Sequence, residues 1–286
     1  MVGRFLRMPE ALAASAAPAM ADNLAVTLAR FVQRPSPPRP NLAAFDVTVL
    51  PPEARTAAQW VWSRRLVNEC ASVDVASELL VAAQDLGDLP QGTVAALQRL
   101  QADEQSHVDL AHAFLERLGH QPQKPPPSTP VTGPAWERWT RFVVTGLAIC
   151  ETVSAARFLH VLKHVDVPAA RGCIRLFLKD ELQHARLGFA LLPDVLRRLE
   201  RQLGGSARDF LRDEMCATFR HLDDVVGMNA QRRGVELVDR PQPSPNPAVV
   251  EPAADALAFY RVMEARILPG LDALGFPARA AWNARG

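Results

Sequence analysis

Two five-residue stretches, Asp103-Glu104-Gln105-Ser106-His107 and Asp180-Glu181-Leu182-Gln183-His184, constrain the fold more than any other feature of the chain. In each, a Glu and a His stand three residues apart, one helical turn on the same face, so both side chains can grip one metal ion. With 14 Glu and 7 His in 286 residues, chance supplies roughly 0.3 such spacings, and about 0.02 with a preceding Asp. Two occurrences are a pattern rather than background.

Helical periodicity surrounds both stretches. It predicts long helices over 53–86, 91–118, 134–164 and 168–203, punctuated by Gly87, Pro90, Gly119, Pro168 and Gly204. An alanine-rich peripheral helix over 10–33 precedes them, joined by the proline-rich linker 34–40. After them come a helix over 206–230, a further proline-rich linker, and a short helix over 252–268 that Pro269-Gly270 should end. Nothing reads as strand, so the expected class is all-α. The expected units are 1–52, a peripheral helix and linker; 53–205, a four-helix bundle; and 206–286, C-terminal helices bracing it.

Connection lengths suggest the topology. The loops near 87–92 and 165–168 are short and join antiparallel neighbours. The segment 120–134 is proline-rich, and 15 residues in polyproline II geometry span roughly 45 Å at ~3.1 Å each, as long as a 29-residue helix. One long crossover would let the second and third bundle helices run parallel.

If two helices carry Glu-x-x-His, the other two should each add a carboxylate at the same level. Glu151 is the candidate on the third, because its face carries Val144, Leu147, Ala148, Ala155, Phe158 and Leu162. Arg157, His160, Lys163 and His164 fall on the opposite face and read as solvated. On the first helix Glu69 shares a face with Trp62, Leu66, Val73, Ala76, Leu80 and Ala83, with Asp74 as the alternative. The expected ligands are therefore Glu69, Glu104, His107, Glu151, Glu181 and His184. Asp103 is expected to accept the ring N–H of His184, and Asp180 that of His107; the alternative is that both are ordinary solvated acids. Ala148, Ala155, Phe158 and Phe177 are the expected pocket lining. Four carboxylates offset two divalent cations, and oxygen donors with imidazole suit iron or manganese.

The formal net charge of +1 argues against nucleic acid or an anionic membrane as the main partner. No stretch reads as a membrane span. Cys70, Cys150, Cys173 and Cys216 lie far apart, which fits reduced thiols rather than a disulfide framework. Arg4, Arg7 and the run to Ala19-Met20-Ala21 faintly resemble a signal peptide, but Pro9 and Glu10 interrupt it. The expected location is cytoplasmic. His221, beside Asp223 and Asp224, reads as part of a solvated face.

Glu69, Asp103-Glu104-His107, Glu151 and Asp180-Glu181-His184 together resemble the ferritin-like di-iron carboxylate superfamily over about residues 53–203. The repeated Asp-Glu-x-x-His is most similar to its oxygen-activating branch. That resemblance implies a ferritin-like four-helix bundle, two iron atoms, O2 as co-substrate and oxidation of a small organic molecule. An external electron donor, a ferredoxin or reductase, would be needed, and a homodimer is the default assembly. N-oxygenases of similar spacing carry a further His where Phe177 stands. Two other readings use the same residues: a dimanganese catalase or peroxide-consuming protein, and a non-enzymatic, metal-stabilised helical binding scaffold.

Overall fold

Prolines and glycines set the helix boundaries. The computed structural model describes residues 17–123, 125–126, 128–239 and 242–286; residues 1–16, with Arg4, Arg7 and the start of the expected N-terminal helix, lie outside it. Helix α1 is Ala17–Gln33, α2 Pro52–Leu86, α3 Thr93–Arg117, α4 Ala135–His164 and α5 Pro168–Leu203. Helix α6 is Ala207–Val225, α7 Ala230–Arg233, α8 residues 252–273 and α9 Ala278–Asn283. There is no strand among the described residues, and the class is all-α. Pro52 and Pro168 occupy first-turn positions, where a missing N–H costs nothing. Gly87, at φ 69°, closes α2 in the left-handed conformation that glycine adopts without strain.

Named contacts give the directions of the long helices. Arg55 Nε and Gln59 Nε2, near the start of α2, donate to the Leu118 carbonyl at the end of α3, at 2.8 and 2.9 Å. Midway, Gln101 Nε2 donates to Ser77 Oγ at 2.8 Å. At the other end of α2, Asp85 pairs with Arg138 near the start of α4. Between α3 and α4, Ser128 donates from N and Oγ to Asp74 Oδ2 on α2, at 2.9 and 2.6 Å. Asp74, the alternative to Glu69, is engaged there.

The proline-rich segments and terminal helices are packed parts of the structure. Helix α1 buries Leu24, Leu28 and Phe31 against α3 and α5. The segment before α8 crosses one end of the long helices: Trp62 Nε1 donates to the Pro247 carbonyl at 2.9 Å, Arg65 to that of Ala248 at 2.7 Å, and the Asn246 carbonyl receives the Asp166 and Val167 N–H groups.

Four expectations change. Pro269-Gly270 does not end α8, because Met263–Ile267 forms a π-helical turn that absorbs the proline and the helix runs on to Ala273. The 206–230 helix stops at Val225, and a further short turn follows at Ala230–Arg233. The flank of Arg157, His160 and His164 is covered by α8 and the segment before it; Arg157 makes a bidentate pair with Asp255, and only Lys163 is exposed. His221 is exposed as expected, but Asp223 beside it is fully buried, accepting from Tyr260 Oη, Arg232 Nε and Arg285 Nε. Among the described residues, α4 is also long and apolar enough to cross a membrane, with mean hydropathy 1.5; 61 % of that window is buried in the protein.

Candidate metal centre

Helices α2, α3, α4 and α5 each turn one or more ionisable side chains inward at one level. Glu69, Glu104, His107, Glu151, Glu181 and His184 are all buried, none more than 7 % exposed. They form two overlapping clusters that could hold metal ions: Glu69, Glu104, His107 and Glu181, and then Glu104, Glu151, Glu181 and His184. Within each cluster one ligand atom from every residue lies within 4.8 Å of the others. Glu104 and Glu181 belong to both.

The imidazoles are oriented the same way on both sides. His107 Nδ1 faces Glu69 at 3.3 Å, Glu104 at 3.4 Å and Glu181 at 3.6 Å, while its Nε2 meets Asp180 at 3.3 Å. His184 Nδ1 faces Glu104 at 2.8 Å and Glu151 at 3.9 Å, while its Nε2 lies 3.5 Å from Asp103. Each histidine therefore looks into the carboxylates with one nitrogen and out to an aspartate of the opposite motif with the other. An aspartate that holds the Nε2 proton leaves the Nδ1 lone pair directed inward.

The electrostatics are those of charge packed into a dry space. Burial and the neighbouring Glu151, Glu104 and Glu69 hold the Glu181 carboxyl well above its ordinary value. Burial also raises Glu69, with His107 opposing it. At Glu104 the two histidines overcome burial and hold the carboxyl low. Burial pulls both imidazoles down, but Asp180, Glu104 and Glu69 at His107, and Glu104, Asp103 and Glu151 at His184, hold them well above the ordinary range. Four buried carboxylates need compensating positive charge. Both Glu104 oxygens, Glu181 Oε2 and the Nδ1 atoms of His107 and His184 have no hydrogen-bond partner. Buried polar atoms left unpaired at this density call for a partner, and a metal ion is one that these side chains could hold.

Local backbone geometry aims Glu151. Residues Phe142–Cys150 are π-helical, and the Glu151 N–H bonds to the Gly146 carbonyl five residues back. The wide turn adds a residue just before the carboxylate, a common device at functional sites. Opposite it, a Cβ on Gly188 would lie 2.6 Å from Ala148 N and the Leu147 carbonyl carbon, so only glycine lets α5 approach α4 this closely. Ala148 accordingly sits in the α4–α5 contact. Phe177 stands edge-on to His107, with ring centroids 4.8 Å apart, and meets Phe158 at 5.3 Å; Ala155 is buried.

Sequence reasoning missed the lid over the aspartates. Arg34, read as part of a linker, sends Nη1 to Asp180 at 2.8 Å and Nη2 to Asp103, and its guanidinium lies over the Phe31 ring. Arg99 Nε donates to Asp103 at 3.0 Å. Burial raises the Asp103 carboxyl, but His184, Arg34 and Arg99 hold it below its ordinary value. The Arg99–Asp103 pair is visible as an i, i+4 spacing; Arg34 carries no local signal. Cys150, Cys173 and Cys216 are free thiols, and burial with Glu151 pushes the Cys150 thiol up to about 12, which leaves it unreactive.

No family model, curated protein or solved structure matches this chain.

Proposed function

We propose that the four long helices are a ferritin-like bundle with one long crossover, and that the chain is a non-haem di-iron oxygenase or oxidase acting on a small organic molecule. The observation that carries this reading is the pair of overlapping buried clusters sharing Glu104 and Glu181. Two sites with two common carboxylates are the arrangement a bridged metal pair needs. In this assignment Glu69 and His107 would hold one ion and Glu151 and His184 the other, with Glu104 and Glu181 common to both clusters. The donor set fits: four carboxylates balance two divalent ions, and hard oxygen with imidazole suits iron or manganese. Bound iron would supply the electrons and the open positions at which O2 is reduced.

The chain's own residues do the rest. Asp180 holds the Nε2 side of His107, Asp103 lies 3.5 Å from Nε2 of His184, and Arg34 holds both aspartates. Burial excludes bulk water, which strengthens each electrostatic contact within the site. Phe177 packs edge-on against His107, and Phe158 packs on Phe177, which keeps that side of the site apolar. An external electron donor, a cytoplasmic setting and a homodimer belong to the same proposal.

The test is O2 uptake by the iron-loaded, chemically reduced protein. Uptake in proportion to bound iron, lost in a Glu104→Ala, Glu181→Ala double variant, is the expected result. Bound iron that stays ferrous in air would contradict the proposal. Rapid O2 release from hydrogen peroxide by a manganese-loaded form would transfer the same site to peroxide chemistry.

A further inference from the structure

A second group of ligating side chains lies on the flank of α4 turned away from the carboxylate centre. His160 and His164 are one turn apart, and Asp239, from the segment after α7, reaches both. Asp239 Oδ1 is 3.7 Å from His160 Nε2 and 3.2 Å from His164 Nε2, and the two rings meet edge to face at 4.9 Å. His160 is only 4 % exposed, yet its Nε2 has no hydrogen-bond partner, and neither does that of His164.

We propose that His160 Nε2, His164 Nε2 and Asp239 Oδ1 bind a single divalent transition ion, with zinc the best match. Three observations converge on it. At metal–ligand lengths of about 2.0–2.1 Å, a tetrahedral zinc site holds its donor atoms roughly 3.3 Å apart; the distances to Asp239 bracket that value. The 3.7 Å separation is too long for a hydrogen bond, so the carboxylate does not satisfy His160 by itself. Burial also holds the His160 imidazole below its ordinary value, partly offset by Asp239, which favours the neutral form with a free lone pair.

The donor set decides the class of ion. Two imidazoles and one carboxylate suit zinc, with a fourth position for water; calcium and magnesium require an oxygen cage. Asp239 is 30 % exposed on its side chain, so that position opens to solvent. His160 lies nine residues from Glu151, about 14 Å along the helix, so the two centres share no ligand. The bound ion would fasten the segment after α7 onto the end of α4, acting as a staple independent of the carboxylate centre and of its proposed chemistry.

Zinc titration of the full chain carrying Glu104→Ala and Glu181→Ala tests this, since that background lacks the ligands shared in the first centre. One zinc per chain should still bind. Adding His160→Gln and His164→Gln should abolish it, and Asp239→Asn, at a half-exposed position, should weaken it by about tenfold or more. In the otherwise wild-type chain, His160→Gln with His164→Gln should leave iron content unchanged. Zinc binding that persists at equal affinity in the chain carrying all four substitutions would overturn the proposal. So would a folded Asp239→Asn chain with unaltered zinc affinity.

Discussion

Arg34 shows how one residue can govern a centre it does not enter. Its planar fork spans Asp103 and Asp180, one acid from each motif, and each acid faces the histidine of the other motif. Removing the guanidinium would leave two nearly buried carboxylates short of a partner and both histidines less firmly held. Arg34→Ala should therefore cost about 2–4 kcal/mol of stability and lower metal affinity about 10- to 100-fold. Arg34→Lys should restore little, because a point charge cannot reach both acids with a fixed geometry. Metal retained after dialysis against a chelator is the readout; retention equal to wild type in Arg34→Ala would refute the role. The glutamates and histidines were legible because a helical turn imposes their spacing. Arg34 was not, since it lies 69 and 146 positions from its partners and only tertiary folding joins them.

At the scale of elements, the register of α4 against α5 decides where Glu151 points. The π-helical turn before Glu151 and the missing side chain at Gly188 act on the same contact. Gly188→Ala would place a methyl group against backbone atoms, which cannot rotate away as a side chain would. Overpacking of this kind costs about 1–3 kcal/mol, and in a chain this long each kcal/mol lowers Tm by about 2–4 °C. A melting curve unchanged by Gly188→Ala would show that the approach of the two helices is looser than the structure has it. The ends of α2, α3 and α5 could be read from proline and glycine, because those residues act locally. The course of α8 could not, because a π-helical turn lets Pro269 continue a helix that its sequence appears to stop. The burial of His160 was equally hidden: nothing within α4 announces that another helix will cover its outer flank.

Over the whole molecule, proline-rich chain serves as strapping. The 34–40 segment lies over the motif helices, where Arg99 Nη2 donates to Ser36 Oγ at 3.0 Å and Arg39 to Ser106 Oγ at 3.1 Å. Ser128 ties the 128–134 segment to Asp74 on α2, and the segment before α8 receives Trp62 Nε1 at the Pro247 carbonyl. Their lengths and lack of helix could be read from composition; their docking depends on pairs such as Ser128–Asp74 and Trp62–Pro247 that no periodicity encodes. The proposed function rests on one buried set of six side chains holding two metal ions. Elemental analysis of the purified chain beside its Glu104→Ala, Glu181→Ala variant tests that directly. The expected result is about two irons per chain, lost in a variant that keeps its helical content. A folded wild-type chain that takes up no stoichiometric metal, even after anaerobic reconstitution with ferrous iron, would contradict it.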